Sequence, residues 1–201
     1  MKKSAKSPAN GQPLTHKMTV TAMLSAVSAV LMFIDFSVPI MPSFIKLDIS
    51  ELPALLASFS LGPVYGVVVC LIKNLINLAR STTSGVGELC NFLLGAVFVF
   101  TAGLVFKKMK NRKGAFVGAL IGAFVMAVLS LPLNYYVTYP IYANFIPMEG
   151  IIGMYQVILP SVKSLWDCLL VFNAPFTFVK GLIDVGLTFL IYKRLSPILH
   201  K

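Results

Sequence analysis

The 201-residue chain is 57% hydrophobic and 12% charged, with a formal net charge of +10 and a mean hydropathy of +0.85. A soluble domain carries about 25% charged residues, so this composition excludes a water-soluble globular protein and leaves an integral membrane protein. The positive charge flanks apolar runs without a basic–aromatic surface motif, which argues for membrane topology and against nucleic-acid binding.

Residues 1–15 are polar and predict a disordered cytoplasmic tail, followed by one membrane domain over residues 16–201. The first apolar run, about Lys17 to Phe36, lacks a small-residue cleavage site and reads as a retained helix. Ala22, Ser25, Ala26 and Ala29 form a small-residue stripe on it. Such a stripe lets another backbone approach closely, either inside the subunit or from a partner. Asp35 to Ser50, with Pro39 and Pro42, predicts an ordered outer loop, and Ser50 is a candidate N-cap for a helix starting at Glu51. Gly62-Pro63 stops that helix after about ten residues, too short to cross a bilayer comfortably. A longer arm runs from Pro63 to about Ala79 and carries Lys73, Asn74 and Asn77 near its end, with Arg80 just beyond.

The next helix runs from about Glu88 to Phe106, with Glu88 and Asn91 at its outer end. A fifth, about Gly114 to Val137, repeats Gly114, Gly118 and Gly122 beside Ala115, Ala119, Ala123 and Ala127. That four-residue repeat is a close-packing signal. Thr138 to about Asp167 is an outer segment with a short helix near Gly150 to Leu159. It reads either as a lid or as an interfacial loop with an aromatic belt of Tyr139, Tyr142, Tyr155 and Trp166.

The last run contains VFNAPFTFVKGLID, with Thr177, Lys180 and Asp184 on one helical face. A lysine in a membrane span costs roughly 2.5 to 3.5 kcal/mol near the helix centre, which implies a partner or a task. The plain alternative is neutralisation by Asp184 one turn on. The expected fold is an all-α membrane protein, a compact bundle of about six transmembrane helices with both termini cytoplasmic. Twelve of seventeen basic residues fall in the three inner segments on this map, and every acid except Asp184 falls outside.

On the same map Lys46, Asp48, Lys73, Asn74, Asn77, Glu88, Asn91, Asn134, Asn173, Thr177 and Lys180 converge at the outer end. Amides and one cation in an apolar setting suit a neutral ligand with a polar edge. No catalytic residues, metal ligands or cofactor are expected. His16 and His200 sit at the ends, and neither a paired-histidine motif, GxSxG nor GxxxxGK[ST] occurs. Cys70, Cys90 and Cys168 read as small buried hydrophobes.

KLDISELPALLASFSLGPVYG, IKNLIN, GVGELCNFLLG, LNYY and PFTFVKG, in that order, resemble the riboflavin-specific S component of energy-coupling factor (ECF) transporters. The resemblance implies a substrate-binding membrane subunit that captures riboflavin from outside. It implies a transmembrane coupling protein and two cytoplasmic ATPases as partners, with Ala22-xxx-Ala26 in the docking face. It also implies that Asn134 and Lys180 hold the flavin ring. The family's second asparagine is replaced here by Thr177, and Asn173, one turn earlier, is the substitute amide. Lys46, Asp48, Asn91 and Glu88 are the expected polar contacts around the rest of the ligand. The competing readings are an S component for another vitamin and a membrane-embedded enzyme.

Overall fold

The computed structural model describes residues 13–81 and 83–199, with side chains described as far as residue 191. Lys2, Lys3, Lys6 and Lys201, expected to mark the cytoplasmic side, the expected disordered tail as far as residue 12, and His200 lie outside these, as do the side chains of Lys193 and Arg194.

Nine helices form in chain order among the described residues: α1 (Leu14–Phe33), α2 (Glu51–Ser60), α3 (Pro63–Asn77), α4 (Val86–Met109), α5 (Arg112–Leu133), α6 (Tyr139–Tyr142), α7 (Met148–Gln156), α8 (Leu165–Cys168) and α9 (Ala174–Leu199). Some join into longer rods. Five resulting helices are long and apolar enough to cross a membrane: Leu14–Phe33, Pro63–Arg80, Val86–Met109, Arg112–Tyr142 and Leu165–Ile191. The sixth expected helix is α2, whose ten residues reach about 15 Å, half of a hydrocarbon core of about 30 Å. It is nonetheless the most enclosed helix, with Ala54, Leu55 and Ala57 fully buried. Gly62 ends the hairpin bend with φ of 120°, a conformation that a side chain would strain, and Pro63 opens α3.

The glycine repeat acts as its spacing predicts. A Cβ on Gly118 would meet the Ala102 carbonyl oxygen at 2.7 Å, and one on Gly122 the Phe98 carbonyl oxygen at 2.6 Å. Helices α4 and α5 therefore approach backbone to backbone. Phe98, Val99, Ala119, Ala123 and Met126 pack with Leu55 and Val69 in the main core. Large apolar side chains such as Val64, Phe124, Val128 and Leu190 point outward, as lipid contact requires.

Two features depart from the sequence reading. Residues 36–47 form a small hairpin whose strands, β1 (Phe36–Ser37) and β2 (Lys46–Leu47), pair antiparallel. Secondly, π turns interrupt the two longest rods at Asn134–Thr138 and Leu169–Asn173. Proline has no N–H, so Pro140 and Pro175 each remove an i→i−4 bond to a carbonyl inside one of these turns, Tyr136 and Val171 respectively. The wider turn accommodates the unmatched carbonyl.

The expected aromatic belt is corrected in part. Tyr139 and Tyr155 are fully buried and their hydroxyls bond to each other. With Ile151 and Leu169 they make a second core beneath α7. Trp166 does face outward, where Tyr135 and Tyr136 join it, and Tyr142 is half-buried.

Candidate functional site

One cavity of about 300 Å³ opens at the end of the bundle opposite Lys107–Lys113, lined by the β1–β2 hairpin, the ends of α2, α3 and α4, both π turns, and α9. That volume falls at the lower end of small-molecule sites. Leu94, Met126 and Phe176 give it an apolar wall, while Asn134, Lys180 and Asn91 bring polar groups to it.

Lys180 is almost wholly buried, and its Nζ lies 2.9 Å from Asp48 Oδ2 and 3.4 Å from Glu51 Oε2. It also donates to Asn91 Oδ1 at 3.2 Å. Beside it, Lys73 is fully buried and pairs with Glu51 Oε1 at 2.7 Å. Ser50 ties the two pairs together, donating to Asp48 and accepting from Lys73. Ser50 does not cap α2 with its side chain, because its hydroxyl is committed to this network. Burial opposes charge on Asp48. The adjacent Lys180 and Lys73 ammoniums and the Ser50 hydrogen bond outweigh it and hold the carboxyl well below the usual carboxylate range.

The neutralisation of Lys180 by Asp184 is therefore overturned. Among the described residues, both Asp184 carboxyl oxygens are buried without a hydrogen-bond partner. The lysine reaches instead across the bundle to the hairpin and α2, 132 residues away in sequence for Asp48. Excellent geometry and extra hydrogen bonds are what make buried charge tolerable; here Asp48 and Asn91 accept from the ammonium, and Glu51 Oε2 adds a second carboxylate at 3.4 Å.

Asn134 opens the first π turn. Its Nδ2 donates to the Ser130 carbonyl at 2.8 Å and its Oδ1 faces Cys90 Sγ at 3.5 Å. Asn173 closes the second π turn, with Oδ1 accepting from Tyr155 at 2.7 Å and Nδ2 donating to Tyr139 at 3.0 Å. Glu88 accepts from Asn77, Ser81 and Thr83 at the mouth. Lys46 pairs with Asp35 at 2.8 Å, partly exposed.

Residues 16–192 match the family described as "ECF transporter, substrate-specific component". The chain belongs to this family. It is 35% identical to the riboflavin transporter RibU of Staphylococcus aureus (strain TCH60) over 92% of this chain and 93% of that protein. It is 31% identical to the riboflavin transporter FmnP of Bacillus subtilis (strain 168), over 90% of this chain and 92% of that one. A solved S component of a bacterial ECF transporter superposes with a TM-score of 0.75 at 34% identity, covering 94% of this chain and all of the other. The chain is thus a transport component of the bacterial plasma membrane, multi-pass and not an enzyme.

In this S component, of the eleven residues that the sequence placed together at the outer end, Lys46, Asp48, Asn77, Glu88, Asn91, Asn134, Asn173, Thr177 and Lys180 border the cavity, whereas Lys73 and Asn74 are buried and do not line it. Thr177 is half-buried there, whereas the Asn173 amide is largely engaged by the two tyrosines. Sequence reasoning missed Glu51 as a lysine partner and Ser50 as the link. The signal was available: ELPALL places a lone acid at the head of an otherwise apolar helix. It also placed Cys90 in the core, whereas this thiol borders the cavity; Cys70 and Cys168 are fully buried as expected. The small-residue stripe divides: Ala22 and Ala26 are exposed, while Ser25 and Ala29 are buried in the subunit.

Proposed function

We propose that this S component binds riboflavin in the cavity and delivers it to a transmembrane coupling protein driven by two cytoplasmic ATPases. The observation that carries the reading is the meeting of Asn134 and Lys180 in one cavity, in a chain whose relatives are named riboflavin transporters. An isoalloxazine ring is flat and apolar in its middle, with a uracil-like edge of carbonyls and one N–H. Leu94, Met126 and Phe176 suit the first. Asn134 suits the second, because an amide offers an acceptor and a donor together. An ammonium has three donors. Lys180 commits two of them to Asp48 and Asn91 and keeps one for a ring carbonyl or nitrogen. Thr177 supplies one hydroxyl, and Lys46, Asp48, Asn91 and Glu88 suit the ribityl hydroxyls.

In this reading the cavity faces outward and both termini lie in the cytoplasm, which the basic cluster Lys107–Lys113 at the other end supports. Residues 16–201 act as a single domain. Docking uses the exposed half of the α1 stripe, Ala22 and Ala26, where small side chains permit close backbone approach.

The test is an absorbance spectrum of the purified protein, with release of the pigment on denaturation and titration of the emptied protein with riboflavin. Flavin bands and saturable quenching of flavin fluorescence are expected. A colourless protein that fails to quench flavin but binds a different vitamin overturns the reading.

A further inference from the structure

Cys90 lines the cavity from α4, and its thiol is the group within hydrogen-bonding range of the Asn134 carbonyl oxygen, at 3.5 Å. The other end of that amide is fixed by the Ser130 carbonyl at 2.8 Å. Turned over, the amide would set its oxygen against the Ser130 oxygen, acceptor against acceptor, and lose a hydrogen bond in a buried place. Ser130 therefore decides which end of the amide it meets. Cys90 holds the opposite, oxygen end along the cavity wall. The next residue on α4, Asn91, does the same for Lys180, accepting from its Nζ at 3.2 Å. Neighbouring residues of one helix thus orient both groups offered to a ligand.

The carbonyl oxygen has two lone pairs. A thiol is a weak donor, so it steadies the oxygen without saturating it. The remaining lone pair accepts only from a ligand donor; a ligand carbonyl or an alkylated nitrogen would meet it unfavourably. We infer that Cys90 is a positioning residue for specificity, fixing the Asn134 amide so that its oxygen selects ligands with an imide N–H. The inference rests on the flavin reading above, in which the isoalloxazine N3–H is that donor.

Purified wild type, Cys90→Ala and Cys90→Ser are titrated with riboflavin and with 3-methylriboflavin, which lacks this N–H, by flavin fluorescence quenching. The wild type should favour riboflavin strongly. Cys90→Ala should narrow that preference by roughly three- to tenfold, the size of one neutral hydrogen bond, mainly through weaker riboflavin binding. Cys90→Ser keeps a donor and should keep the preference. A Cys90→Ala protein that loses affinity for both compounds equally, or keeps the wild-type ratio, overturns the positioning role. Loss of preference in Cys90→Ser overturns it even if the alanine variant fails to fold. Failure of the wild type to bind riboflavin overturns the flavin reading and this inference with it. Riboflavin binding with an unaltered ratio overturns this inference alone.

Discussion

The pair between Lys180 and Asp48 permits a quantitative test of how the charged network is held. Replacing Lys180 by Met keeps the length of the side chain and removes its charge. Asp48 and Glu51 then lose a partner in a site where both are almost fully buried. Removing one member of a buried pair typically costs about 3 to 5 kcal/mol. Two features move the expectation to the lower end, about 3 kcal/mol: Glu51 retains Lys73 at 2.7 Å, and Asp48 retains the Ser50 N–H at 2.9 Å. Asp48→Asn alone leaves Lys180 with Glu51 and Asn91, and costs less. The double variant Lys180→Met/Asp48→Asn removes the charge mismatch, so its loss should fall about 1 to 3 kcal/mol short of the sum of the single losses. The assay is reversible unfolding in detergent for all four proteins, ligand-free, with helicity as the readout. Additive losses in the double variant would refute the pairing. A stable Lys180→Met protein whose Asp48→Asn counterpart is equally unaffected would show that the network contributes nothing to the fold.

Thr177→Asn should leave riboflavin affinity unchanged or tighten it in equilibrium titration, because the half-buried position borders the cavity and an amide adds a second hydrogen-bonding group. Gly122→Ala should lower stability by about 1 to 3 kcal/mol in thermal unfolding, since its Cβ would meet backbone, the Phe98 carbonyl oxygen at 2.6 Å. For pH, Asp48 ordinarily titrates at 3.8 and is depressed in the fold. Its stabilisation is therefore complete above that ordinary value and disappears as pH falls through the lower, folded one. The midpoint of thermal unfolding should not fall on Asp48's account between pH 7 and 5, whereas Asp48→Asn should lower it across that window. Ala22→Leu/Ala26→Leu should abolish pull-down of the coupling protein and riboflavin uptake while riboflavin binding persists in the isolated subunit. Ser25→Leu, pointing inward, should instead destabilise the subunit itself.

Much of this was readable from the chain because a bilayer restricts what an apolar sequence can do. Long apolar runs must be helices there, and Gly62-Pro63 and the Gly114 repeat act through backbone sterics that spacing alone reveals. The cavity residues were legible for the same reason: Asn134 and Lys180 are costly in lipid unless they face inward. The partner of Lys180 was not legible, because helical spacing favours the local Asp184, whereas the chosen carboxylates arrive through a hairpin and the short α2. Nor does periodicity distinguish the two halves of the α1 stripe. Ser25 and Ala29 face α2 and α3 only because that short hairpin packs there. The π turns left a trace in Pro140 and Pro175, but a missing N–H does not say whether a helix will kink, end or widen.

Helical irregularity and polar side chains occur at the same level of the bundle, and each accounts for the other. An unmatched backbone carbonyl in hydrocarbon costs several kcal/mol unless protein or a water-filled cavity receives it. The π turns lie at the level of the cavity and bring Asn134, Thr138 and Asn173 to its wall. The short α2 does the same for charge: because it stops halfway, its first residue, Glu51, lies deep enough to meet Lys73 and Lys180. A full-length helix in its place would carry that carboxylate to the surface. Binding a polar-edged ligand in an apolar bundle and breaking the helices are thus one structural requirement, met at the end away from the basic cluster Lys107–Lys113.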